Sequence, residues 1–156
     1  MKIKLVIVFA FLASALSIAS AQTSNLFMAA RSNDVNLAKT LLDAKADVNQ
    51  TDENGYTPLT LATYNDNFEV AQLLLKRGAN TEVKDRSGRT ALMGASFKGH
   101  EREVKLLLDN GANANAVDSK GLTSMMYAVM FGRISVVRAL RAGENAKATT
   151  QVSSAN

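Results

Sequence analysis

One spaced frame, Asp-x-x-Gly-x-Thr, occurs three times in this chain, each copy 33 residues after the last: Asp52/Gly55/Thr57, Asp85/Gly88/Thr90 and Asp118/Gly121/Thr123. A fixed period of that length constrains the fold more tightly than composition does. It requires one supersecondary unit stacked on copies of itself, each burying its apolar face against its neighbours. Arrays of this kind offer a long continuous surface, so function is expected there rather than in a catalytic pit.

Alignment on the period gives four units, at about 25–51, 52–84, 85–117 and 118–148. A small residue recurs as Ala29, Ala62, Ala95 and Ala128, where two helices must approach closely. A second helix carries Leu41-Leu42, Leu73-Leu74-Leu75, Leu106-Leu107-Leu108 and, more weakly, Ala139-Leu140. Those leucines form the stripe that the next unit covers. Thr57-Pro58 reads as an N-cap followed by proline at the first helical position, and Gly78 and Gly111 suit left-handed C-caps. Gly55 and its copies permit the positive φ of a tight turn.

Several positions break the pattern. The first unit lacks the turn frame and starts directly at a helix, as an N-terminal cap would. Glu103 occupies an apolar position, so the second helix of the third unit is expected to be loosened or shifted. Gly143 arrives one residue early and Arg141 interrupts the leucines, which suggests a terminal cap with a polar outer face. Residues 149–156 are small, polar and unpatterned, and are expected to form a mobile tail.

The second unit reads DENGYTPLTLA and ends LLLKRGAN; the third reads DRSGRTALMGASFKGH and ends LLLDNGAN. These residues resemble the ankyrin repeat. The resemblance implies an all-α solenoid of helix–turn–helix units with β-turn or hairpin fingers, working as a non-enzymatic protein-binding module. The histidine of the family's Thr-Pro-Leu-His signature is replaced by Thr60, Met93 and Met126, so its hydrogen bond is expected to be lost in every unit.

The start of the chain is different in kind. Met1–Lys4 is short and basic, Leu5–Ile18 is almost continuously apolar, and Ala19-Ser20-Ala21 supplies the small residues a signal peptidase needs. Residues 1–21 are expected to be a secretory signal cleaved after Ala21, not a membrane anchor, since the apolar run is too short to span. Removing Lys2 and Lys4 takes the basic count from 18 to 16 against 14 acids, and the net charge from +4 to +2. That balance does not point to nucleic acid or to an acidic membrane surface. Cysteine is absent, so packing alone must stabilise an exported domain. This manner of export points to a bacterial periplasm.

Chemistry finds little footing. His100 is the single histidine, with Ser96 four residues earlier, but no orienting carboxylate or oxyanion motif accompanies them. One histidine and no cysteine exclude the usual zinc sets, and Asp52-Glu53-Asn54-Gly55 lacks the spacing of a calcium loop. No cofactor or metal is expected.

Binding is better supported. Carried over slot by slot, the resemblance places partner-binding positions at the turn tips and on the exposed side of each first helix. These are Tyr56 and Tyr64 in the second unit, Arg86, Arg89, Phe97 and Lys98 in the third, and Leu122, Met130 and Phe131 in the fourth. Tyr64, Phe97 and Met130 share one slot, and Tyr56, Arg89 and Leu122 another. Aromatic, Met and Arg side chains dominate interface hot spots. Arg86, Arg89, Lys98 and Lys84 would form a basic belt around Phe97. The expected partner is a periplasmic enzyme bound by a monomer. Restraint of a cell-wall hydrolase or toxin is the preferred role, and support of an antioxidant enzyme such as a catalase the alternative.

Overall fold

The computed structural model describes residues 26–153. The expected signal peptide lies outside the described residues. Within them are eight helices and no strand. The helices are α1 (26–32), α2 (Val35–Asp43), α3 (Pro58–Tyr64), α4 (Phe68–Lys76), α5 (Ala91–Lys98), α6 (Glu101–Asp109), α7 (Ser124–Met130) and α8 (Ile134–Ser153). They pair as α3–α4, α5–α6 and α7–α8 within units. Between units, α3, α5 and α7 pack in one layer, and α2, α4, α6 and α8 in the other.

The buried residues repeat with the sequence period. Leu41, Leu74, Leu107 and Leu140 are all buried, and Ala29, Ala62, Ala95 and Ala128 are fully so. A side chain larger than alanine at the latter slot would push the two layers apart. Truncating a leucine such as Leu74 would cost about 2–5 kcal/mol, because the neighbouring units cannot close the cavity fully.

The three fingers show why the frame needs its aspartate. The Asp52 carboxylate accepts from the backbone N–H groups of Asn54 and Tyr56, both at 2.9 Å. Asp85 repeats this with Ser87 and Arg89, and Asp118 with Lys120 and Leu122. A backbone bond from each aspartate N–H to the carbonyl four residues on closes the loop, at 2.9–3.0 Å. The fingers are therefore hairpin-like turns without a strand ladder. They are also joined to one another: Arg86 N–H donates to the Asn54 carbonyl, and Ser119 N–H to the Ser87 carbonyl, each at 3.0 Å.

That joint explains the glycines. Gly88 and Gly121 both have a φ of 76°. A Cβ on Gly88 would lie 2.8 Å from the backbone nitrogen of Ser119, whereas one on Gly121 would meet nothing, since no finger follows.

A second periodic device ties the helical layers. Asn67 Nδ2 donates to the carbonyls of Ala30 and Arg31, His100 Nδ1 pairs with the Thr63 carbonyl, and Arg133 Nε donates to the Phe97 carbonyl. The three struts sit 33 residues apart and each reaches back to the preceding unit.

Some of these expectations are corrected. Glu103 neither loosens nor shifts α6, which runs regularly from Glu101 to Asp109 with Glu103 fully buried. Burial pushes its carboxyl above the ordinary range, and the Asp66 carboxylate adds to that push. Its own backbone N–H and the nearby His100 pull the other way. Gly143 lies inside α8, where a Cβ would come within 3.1 Å of a Leu108 methyl, so glycine admits close packing. Of the segment 149–156, the described part continues α8 as far as Ser153. The fourth unit is only half a polar cap: Arg138 and Arg141 are exposed on α8, but Met126, Val129, Met130 and Ile134 are exposed as well. The hydrogen bond at the substituted histidine slot also survives in one unit, where the Thr60 and Thr57 hydroxyls lie 3.0 Å apart.

Gly121→Ala should cost about 1–2 kcal/mol, the penalty of a left-handed alanine. Gly88→Ala should cost at least about twice that, because the added methyl also parts two fingers. Urea unfolding of the two variants measures the difference, and equal losses would contradict the finger joint.

Candidate protein-binding groove

The fingers of the second and third units and the first helices of all four units enclose a groove of about 350 Å³. Tyr56, Tyr64, Phe97 and Tyr127 supply rings to its lining, Arg31 and Arg89 supply guanidinium groups, and Leu61, Met93 and Gly94 contribute beneath. The groove has a local cause. Leu61, Gly94 and Tyr127 occupy one slot of the repeat, and the middle unit has no side chain there. Glycine inside a helix costs about 0.5–1 kcal/mol relative to alanine. Here its Cβ would meet only the edge of the Tyr64 ring, at 3.5 Å, so packing does not demand it.

The rings are fixed by one another. Tyr64 and Phe97 lie nearly parallel with centroids 6.4 Å apart. Phe131 meets Phe97 edge-on at 4.5 Å, and Tyr127 does so at 6.4 Å. The Lys98 ammonium sits 5.0 Å from the Tyr64 centroid, within cation–π range. Phe97 is thus half-buried in a cluster, not a free probe. Met130, in the same slot of the next unit, is 63% exposed.

The charges are arranged by the fingers. Arg89 grips Asp85 through Nε at 2.9 Å and Nη2 at 2.8 Å, and Nη2 also reaches the Tyr56 hydroxyl at 3.2 Å. Burial alone would lower the Arg89 pKa, but the hydrogen bond and charge of Asp85 raise it above the ordinary arginine value. The Tyr127 hydroxyl donates to Asp118 at 2.7 Å. Burial and that bond push the Tyr127 pKa up. Burial would raise the Asp118 pKa too, but the Leu122 N–H, the Tyr127 hydroxyl and the Lys120 N–H hold it below its ordinary value.

The sequence-derived positions therefore fall into two groups. Tyr56, Tyr64, Arg89 and Phe97 line the groove, and Lys98 and Phe131 cover their rings. Arg86 and Leu122 on the fingers and Met130 at the end of α7 lie outside the lining, with Arg86 and Met130 exposed. The basic belt is broken up: Arg89 is paired with Asp85, and Lys84 donates to the Val117 carbonyl at 2.8 Å. Sequence reasoning missed Tyr127 and Gly94. Their slot breaks the repeat as plainly as the slots that were chosen, and that was the available signal. Ser96 and His100 form no catalytic pair, because the Ser96 hydroxyl is buried without a hydrogen-bond partner and His100 Nδ1 is held by Thr63.

A family model for ankyrin repeats in three copies matches residues 7–85, 26–118 and 78–151, which together span most of the chain. The chain belongs to the ankyrin repeat family. No curated protein matches it. Ankyrin repeats in general mediate protein–protein interactions without catalysis, and the groove occupies the finger and first-helix face of this array.

Asp118 stabilises this ankyrin array above its ordinary carboxyl pKa of 3.8, and that contribution is lost as pH falls through its lower folded value. Asp118→Asn keeps an acceptor oxygen but no titrating charge. In urea unfolding between about pH 2 and pH 6, the acid loss of stability should be shallower in the variant than in the wild type.

Proposed function

We propose that this ankyrin protein acts outside the cytoplasm, in a bacterial periplasm, by seating part of another protein in its groove and so restraining that partner. The observation that carries the reading is the groove itself. It is built by omitting one side chain at Gly94, walled by rings that hold one another in place, and flanked by exposed Met130 and Phe131. Pre-ordered aromatic walls favour binding, because little side-chain entropy remains to be lost. An apolar or aromatic side chain from the partner fits between Tyr64 and Tyr127, while Arg86 and Lys98 face acids at its rim. Phe97 is then a wall of the groove and not a plug.

An interface of standard size, on the order of 1,600 Å² in total, is within reach of three such units. The apolar leader at Leu5–Ile18 supports export. Among the described residues no helix is long and apolar enough to cross a membrane. A rigid module that occupies a partner's projecting element suits restraint of an enzyme such as a cell-wall hydrolase or toxin. This protein is itself a binder and not an enzyme in this reading.

Gly94→Leu should abolish capture of the partner from a periplasmic extract while leaving the melting temperature unchanged or slightly raised, since leucine is a better helix former by about 0.8 kcal/mol. Capture that survives this change would remove the groove from the mechanism. Activity of the captured enzyme, assayed with and without the ankyrin protein, should fall on binding; a rise would replace restraint with support.

A further inference from the structure

The buried acid in α6 belongs to a small cluster that the repeat pattern does not explain. Ligand-type atoms of Asp66, His100 and Glu103 lie within 4.8 Å of one another. Glu103 is fully buried, and neither carboxylate oxygen has a hydrogen-bond partner. The other units carry Leu37, Val70 and Val136 in its slot, the two valines fully buried. A valine would therefore fit, and an unpartnered carboxyl here is costly.

Asp66 departs from the repeat in the same place. Its slot is left-handed in every unit, with φ values of 55°, 63°, 90° and 65° at Asn33, Asp66, Gly99 and Gly132. Only the second unit puts a charge there. The third member, His100, is the strut to Thr63. A carbonyl oxygen only accepts, so the His100 Nδ1 bond, at 3.0 Å, places the proton on Nδ1 and the lone pair on Nε2. A carbonyl on one ring nitrogen, fixing the tautomer, is the usual support of a metal-ligating histidine.

We propose that Asp66, His100 and Glu103 bind one divalent transition-metal ion of the zinc class, fastening the second unit to the third. Two carboxylates cancel the charge of a divalent ion, which removes the cost of burying Glu103. One imidazole nitrogen with two carboxylate oxygens suits zinc better than magnesium or calcium, which favour all-oxygen sets. Asp66 is exposed, so the ion has an entry path and a position left for water. The ligands come from two units, at spacings that no single-segment motif contains.

The test is calorimetric titration of chelator-treated, dialysed protein with zinc chloride, alongside thermal melts. The expected result is one equivalent bound with a micromolar or tighter Kd and a higher melting temperature, with no such effect from millimolar magnesium or calcium. Two variants keep the fold. Glu103→Val installs the residue found at the equivalent position in neighbouring units, and should melt higher than the metal-free wild type while binding zinc at least tenfold more weakly. His100→Asn retains the strut, as Asn67 shows, and should also bind at least tenfold more weakly. Absence of one-equivalent binding, or unchanged binding in either variant, would overturn the site and leave Glu103 a buried protonated acid.

Discussion

The array depends on what the finger aspartates do to the backbone. Each finger turns too tightly to pair all of its own N–H groups with carbonyls. One carboxylate takes up two of them, and only then can the next finger be reached across a single backbone bond. A hydrogen bond to a charged acceptor is worth roughly twice a neutral one. Because the fingers are held this way, the first helices start in register, and their exposed sides form one surface instead of three.

That surface follows from deviation as much as from repetition. The scaffold positions are interchangeable between units, while the groove arises where the units differ, at Leu61, Gly94 and Tyr127 and at Tyr64, Phe97 and Met130. The charges follow the same rule. Arg89 belongs to the wall because its own unit's Asp85 holds it, whereas Arg86, three residues earlier, points to solvent.

The architecture was legible in the sequence because the period, the leucine stripe and the cap residues each report on local geometry. Four of the nine chosen side chains line the groove, for the same reason: the repeat gives their address. Contacts between units were not legible. Nothing in the sequence says that Arg89 reaches Tyr56, that α6 keeps its course around a buried Glu103, or that Tyr127 and Gly94 line one groove. Gly143 is a related case. Glycine ends a helix when the chain needs a left-handed residue, but here it is spent on close approach to Leu108. The C-terminal segment shows that a polar, unpatterned stretch can simply continue a helix already begun.

The struts give the array a direction. Asn67, His100 and Arg133 all reach toward carbonyls of the unit before them, and the finger bonds of Arg86 and Ser119 run the same way. A chain made from its N-terminus thus always has the acceptors in place before the donors arrive. Each new unit can dock on a finished one, and losing the last unit strands none of these donors in those that remain.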